Sequence, residues 1–365
     1  MSKDIKYFVA LNSNIKIGPA RFKKLLSYFG SAKKAWNGTY LDYRRAGILE
    51  KDVIESIFET RENVNPDEEM EKLTKENISV ITINDKNYPK LLSEIYNPPA
   101  LLYIKGEIRA EDEVSLAVVG TRRLSNYGRQ ITPRITEVLA RNKITIISGL
   151  ALGIDTLAHR SALDASGRTI AVLAGGIDEG TIFPPINRKL AKEIVDKKKG
   201  AVISEQHPGT PCLKQYFPAR NRIIAGLALG TLVVEAPERS GALITAKLAL
   251  DTDREVFAVP GNILSPQSIG PNNLIKMGAK AVTGPEDVLD ELNIEQLYKQ
   301  KEAEAVLPEN KLEKIIFEIL SLDPIHIDKI IKKAKLDTSV VTSALTMMEI
   351  KGMVKNLGAG NYVRK

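Results

Sequence analysis

V-S-L-A-V-V-G-T-R-R-L-S-N-Y-G, residues Val114 to Gly128, decides the fold. Val114–Val119 reads as a short buried strand. Gly120 lets the backbone approach an anion closely, and Thr121 and Arg122 supply donors near the helix start that follows. Moving outward, the same strand–loop–helix unit recurs. Ile144–Ile147, Thr169–Ala174, Ala201–Ser204, Thr231–Glu235 and Glu255–Val259 are β-rich runs, most of them followed by glycine-containing loops and helical stretches. A seventh run, Ala279–Thr283, extends the series. This alternation predicts an α/β fold, a Rossmann-like doubly wound parallel sheet, over residues 81–292. Ser79 to Gly106, with N-Y-P-K-L-L and N-P-P-A-L-L-Y-I-K-G, leads into it.

Ligands of open parallel sheets gather at the carboxyl ends of the strands, so the loops there carry the functional reading. The Gly120 loop lacks the full dinucleotide fingerprint, and the second strand ends I-I-S-G without an acidic residue, which disfavours NAD. In the second loop, S-G-L-A-L-G-I-D, Ser148, Gly149 and Gly153 leave room for a phosphate. Asp155 and His159 lie four apart on one helix face; general-base chemistry and helix capping both use such a pair, and with no nucleophile or metal partner in sight capping is the stronger reading. The third loop, A-G-G-I-D-E-G, flanks a groove or is a simple turn. The fourth is long and ends in K-Q-Y-F-P-A-R-N-R-I-I-A-G, Lys214 to Gly226. There Phe217 stands between Lys214 and the arginines Arg220 and Arg222, with Asn221 among them. Cations for phosphates beside a ring for a base are what a single-strand groove requires, whereas an Arg-rich helix start with a core Phe gives the same pattern. In the fifth loop, Ser240-Gly241 opens a helix and offers an anion nest. The sixth, V-P-G-N, leads through Gly270 and Asn272 into a helix. Several small-residue loops and three cations at one sheet edge suit a chain of phosphates better than one small metabolite.

The bulk composition is compatible with this. The 365 residues are 43% hydrophobic and 27% charged, with a net charge of +7. That length predicts two or three domains, and the positive balance is spread along the chain. Cys212 is the single cysteine and the three histidines lie far apart, so a disulfide framework and a cysteine-cluster zinc site are excluded and no cofactor or metal is expected. No stretch is long and apolar enough to span a bilayer, and Met1 to Leu11 does not read as a signal peptide, so a cytoplasmic protein is expected.

Two flanking regions differ from the centre. Residues 1–80 are helical and predict a separate domain of SAM or helix-hairpin-helix type. Gly18 and Pro19 form a tight turn before an apolar face at Phe22, Leu25, Leu26 and Phe29. Such a hairpin, helped by Arg21, Lys23 and Lys24, can hold a DNA phosphate; a small bundle that has kept only the packing is the alternative. Residues 293–310 read as a charged helical linker. Residues 311–365 give three helical segments and a Gly358/Gly360 hairpin, a winged helix. Its recognition helix, Asp337 to Lys351, carries Met347, Met348 and Glu349 where a duplex reader presents Arg, Asn or Gln.

With these residues laid out, the chain resembles the DprA/Smf family of bacterial DNA-processing proteins. The matching elements, in order over about Tyr88 to Gly284, are V-V-G-T-R-R-L-S-N-Y-G, S-G-L-A-L-G-I-D-T-L-A-H, F-P-A-R-N-R-I-I-A-G-L, V-V-E-A-P-E-R-S-G-A-L-I-T-A and V-P-G-N. The resemblance implies a non-enzymatic role: binding and protecting incoming single-stranded DNA in natural transformation and helping to load the recombinase RecA onto it, as a homodimer paired through the Rossmann-like domain. Carried over, Gly120, Thr121 and Arg122 hold phosphates. Lys214, Arg220 and Arg222 add charge, Asn221 donates a hydrogen bond and Phe217 stacks on a base. Ser148, Gly149, Ser240 and Gly241 complete the expected site. The rival is a nucleotide-processing enzyme of the LOG phosphoribohydrolase type, suggested by Gly230, Thr231 and Glu235, although its P-G-G signature is missing.

Overall fold

The computed structural model describes residues 4–294, 297, 310–321, 324–351 and 353–364. Residues 1–292 and 293–365 form two compact units. Most of the expected linker lies outside the described residues.

The larger unit is built on a nine-stranded sheet: β1 (Ser79–Thr82), β2 (Leu101–Gly106), β3 (Ser115–Val119), β4 (Thr145–Ser148), β5 (Thr169–Leu173), β6 (Gly200–Ser204), β7 (Gly230–Val233), β8 (Glu255–Ala258) and β9 (Lys280–Ala281). The order is β1-β2-β6-β5-β4-β3-β7-β8-β9. From β6 to β9 all pairs are parallel. β3, β4, β5 and β6 are buried at every position because helices cover both faces, so hydrophobicity runs continuously along them. The seven expected strands are all present. The structure adds β1 and β2, which pair antiparallel with each other and, through β2, with β6. Their sequence was read only as a lead-in, since N-Y-P and N-P-P interrupt the pattern around them.

Chain order reverses between β3 and β7. From β3 the chain steps to β4, β5 and β6 on one side; after β7 it steps to β8 and β9 on the other. The register sets Val119 opposite Val233, so the two carboxyl ends lie side by side where the connections diverge. A crevice must open there.

The N-terminal helices, among them Ile5–Asn12 and Pro19–Phe29, do not form an independent core. Phe8, Phe22 and Tyr43 share one hydrophobic cluster with Tyr103, Leu173 and Val202 of the sheet, and the Tyr103 hydroxyl donates to Asn12 Oδ1 at 2.9 Å. The expected boundary at residue 80 is thus bridged by packing, and the segment folds as a layer on the sheet. In the hairpin segment Arg21 is taken by Glu50 at 3.0 Å and by the Lys16 carbonyl, while Lys23 and Lys24 are exposed.

The smaller unit has helices Lys311–Ile319, Ile327–Ala334 and Thr338–Ile350 and a sheet of β10 (Ile325–His326), β11 (Val354–Gly358) and β12 (Asn361–Arg364). Gly358, Ala359 and Gly360 all take positive φ in the β11–β12 turn, which only glycine adopts freely and which tightens the wing. This is a winged helix. The exposed face of Thr338–Ile350 carries Val340, Met347 and Ile350 and no lysine or arginine. No described helix is long and apolar enough to cross a membrane.

Candidate nucleic-acid interface

The crevice at the β3/β7 switch point holds a cavity of about 280 Å3. Four segments line it: Gly120, Thr121 and Arg122 after β3; Ala151 and Asp155 after β4; Phe217, Arg220, Asn221 and Ile224 from the helix Tyr216–Leu227; and Pro237, Arg239, Ser240 and Gly241 after β7.

Each segment is held by the backbone around it. The Thr121 amide donates to the Glu235 carbonyl at 2.7 Å, tying the two switch-point loops together, and the Ile154 amide donates to the Thr121 carbonyl at 3.1 Å. A Cβ on Gly120 would stand 2.8 Å from the Glu235 carbonyl oxygen, so glycine is required by close packing there. The Glu235 carboxylate accepts from the Ser125 amide at 3.1 Å and from the Ser125 hydroxyl, anchoring the start of the helix Asn126–Arg141. Glu235 does not line the cavity, and the LOG-type reading needed its carboxylate free as a catalytic group.

Ser240 caps the helix Gly241–Leu250, accepting from the Ala242 amide at 3.3 Å. Around Gly241 there is open space within 4 Å of where a Cβ would sit, so a ligand can reach the first turn of that helix. Free amides and the helix dipole favour an anion at this point. Arg239 is exposed at the same end. A cation is unfavourable next to a helix N-terminus unless an anion joins them. Sequence reasoning missed Arg239, and that misplaced charge was the signal for it.

The Tyr216–Leu227 helix sorts the F-P-A-R-N-R run by phase. Phe217, Arg220, Asn221 and Ile224 fall at the spacing of one helix face and all line the cavity. Phe217 is half-buried. The Arg122 guanidinium carbon lies 5.1 Å from its ring centroid and that of Arg220 lies 5.9 Å away, within cation–π range. Arg220 is buried. Its Nη1 donates to the carbonyl of Gly149 at 2.6 Å and to that of Val172, and its Nε donates to Asn221 Oδ1 at 3.3 Å. Burial brings Arg220 down to about 10, so it stays charged at neutral pH. Its positive charge faces Asp155, whose carboxyl burial pushes up against the opposing pull of Arg220 and of the Gly149 and Ala151 amides. Arg220 is therefore a built-in charge in the cavity floor rather than a free clamp.

The remaining expected residues lie elsewhere. Arg222 falls on the opposite helix face, half-turned into a second cavity beside Tyr216, Ala219 and Asn14, where its Nη2 grips both oxygens of Glu205. The reading that set Arg220 and Arg222 in one groove is corrected: residues two apart on a helix diverge. Ser148 is fully buried and its hydroxyl donates to the Val118 carbonyl at 2.6 Å, so it braces β3. Gly149 lies beneath Arg220, where a Cβ would sit 2.5 Å from the guanidinium carbon. Lys214 is exposed and outside the cavity lining. Asp155 and His159 do not act together. His159 Nδ1 pairs with Thr169 Oγ1 at 2.6 Å, and burial with the nearby Arg220 charge brings it down to about 3, so the imidazole is neutral. Among the described residues no cluster of His, Cys, Asp and Glu could hold a metal ion.

Fold and site together define a Rossmann-like protein whose switch point offers guanidinium groups, a helix N-terminus and an aromatic ring to an anion. The model of the family DNA recombination-mediator protein A matches residues 79–293, and that of the DprA winged helix domain matches residues 300–360. The chain belongs to the DprA/Smf family. It is 33% identical to Protein Smf of Synechocystis sp., covering 98% of both chains. It is 43% identical to DNA processing protein DprA of Bacillus subtilis over 60% of this chain and 72% of that one. The X-ray structure of DprA from Streptococcus pneumoniae superposes with a TM-score of 0.67 at 36% identity, over 78% of this chain and 97% of that one. DNA processing protein A from Helicobacter pylori, solved for its single-stranded DNA binding mode, gives a TM-score of 0.52 at 30% identity over 61% and 96%.

Proposed function

We propose that this protein binds single-stranded DNA across the β3/β7 switch point and helps to load RecA onto it during recombination and natural transformation. The observation that carries the reading is the cavity itself. Arg122, Arg220 and Arg239 put three positive charges around the first turn of Gly241–Leu250, with the half-buried Phe217 ring between two of them. Phosphates meet guanidinium groups and helix amides, and a base meets the ring, contacts that every nucleotide can make. The role is binding and hand-off; no residue of the cavity is assigned to catalysis. Support for the RecA step comes from membership of a recombination-mediator family, and action in the cytoplasm and a homodimer through the Rossmann-like unit belong to the same reading. Titrating labelled oligo-dT at several salt concentrations tests the binding: log affinity falls linearly with log salt, by about 0.7 for each phosphate contacted. Salt-independent binding, or none, refutes it. The rate of RecA filament growth on the bound strand tests the loading, and sedimentation of the free protein tests the dimer.

A further inference from the structure

Phe183 is a large apolar side chain held in water. It is 48% exposed, although its neighbours Ile182 and Pro184 are buried. The loop that carries it is tied at both ends. Asp178 Oδ1 accepts from the Gly209 amide at 2.6 Å, and Asn187 Nδ2 donates to the Leu150 carbonyl at 2.8 Å and to Thr156 Oγ1 at 2.7 Å. The exposed ring is therefore presented by a fixed frame, and it lies against the candidate site. Its centroid is 6.3 Å from that of Phe217, with 75° between the ring planes.

We propose that Phe183 is a second base platform, taking the nucleobase adjacent to the one on Phe217. This rests on the single-strand reading above and extends it. Each ring offers a surface to one base, and a preformed pair lowers the ordering cost of binding. Because the planes meet at 75°, two successive bases cannot remain parallel: the strand turns at this step and loses one base–base stack. Strands whose bases stack weakly give up least, so oligo-dT binds more tightly than oligo-dA of the same length.

The test measures oligo-dT and oligo-dA of equal length, at fixed and varied salt, against the unmodified protein and Phe183→Ala, Phe183→Leu, Phe183→Tyr, Phe217→Ala and Arg122→Ala, with melting curves to confirm folding. Phe183→Ala is expected to weaken oligo-dT binding about 5- to 100-fold with the salt slope unchanged. Phe183→Leu should fall with it, Phe183→Tyr should bind normally, and the dT-over-dA preference should shrink in Phe183→Ala. Full binding by Phe183→Ala or Phe183→Leu, with Phe217→Ala weakened, overturns the second platform and leaves the single-strand reading standing. If Phe183→Ala, Phe217→Ala and Arg122→Ala all bind as the unmodified protein does, the single-strand reading itself fails and the platform with it.

Discussion

Arg122→Ala and Arg222→Ala remove the same side chain from two sites that the sequence treats alike, and the structure assigns them opposite consequences. Arg222 and Glu205 form a pair whose side chains are only 14% and 11% exposed. Removing one partner of a buried pair leaves an uncompensated charge, at a cost of about 3–5 kcal/mol. For a unit of this size each kcal/mol lowers the melting temperature by about 2 °C, so Arg222→Ala should melt about 6–10 °C lower. The loss depends on pH. Burial already pushes the Glu205 carboxyl up, with Arg222 pulling it back; without Arg222 it rises further and the folded state holds more protons than the unfolded chain. Stability of the variant relative to the unmodified protein therefore recovers as pH falls toward the unfolded carboxylate value. The double variant Glu205→Leu/Arg222→Met, which replaces the pair with apolar groups, should regain most of the loss. Arg122 is exposed and faces the cavity. Arg122→Ala should melt normally but bind oligo-dT more weakly, with a salt slope lower by about 0.7. Scanning calorimetry over a pH series and binding over a salt series read both. An unchanged melting temperature for Arg222→Ala together with a reduced salt slope would refute the assignment of the two residues.

Three further outcomes follow from the same geometry. Phe217→Ala should cost about 1–3 kcal/mol of oligo-dT binding with little change in salt slope, read by fluorescence titration. Gly149→Ala places a methyl 2.5 Å from the Arg220 guanidinium carbon; it should lower both the melting temperature and DNA affinity, because the built-in charge is displaced from its carbonyl seat. His159 is held near 3 against an ordinary value of 6.5, so the unfolded chain takes up a proton that the folded one refuses, and stability present above pH 6.5 is lost as pH falls toward 3. Replacing His159 by Asn should flatten that acid limb in pH-dependent denaturant unfolding.

Much of the fold could be read from the chain because buried parallel strands are short, continuous apolar runs ended by glycine loops, and six such runs in sequence leave few topologies. β1 and β2 escaped because proline-rich turns hid an antiparallel pair. The shared core of the N-terminal helices escaped because Phe22 and Leu25 look the same whether they pack on another helix or on a sheet. At the site, Gly120, Arg122 and Ser240 could be read from their place in the loops that follow strands, and Phe217 from the cations on either side of it. Arg220 and Arg222 could not be separated until the start of their helix fixed the phase, although two residues on one helix spaced by two never share a face. Phe183 gave no local sign, since its meaning comes from a ring contact between the loop after β5 and the helix Tyr216–Leu227.

A crystal structure of the protein with a bound oligo-dT strand tests the central claim most directly. A phosphate is expected within hydrogen-bonding distance of the Gly241 amide, a second against Arg122, and a thymine ring stacked on Phe217. A strand lying elsewhere on the protein, with the switch-point cavity filled only by solvent, would contradict it.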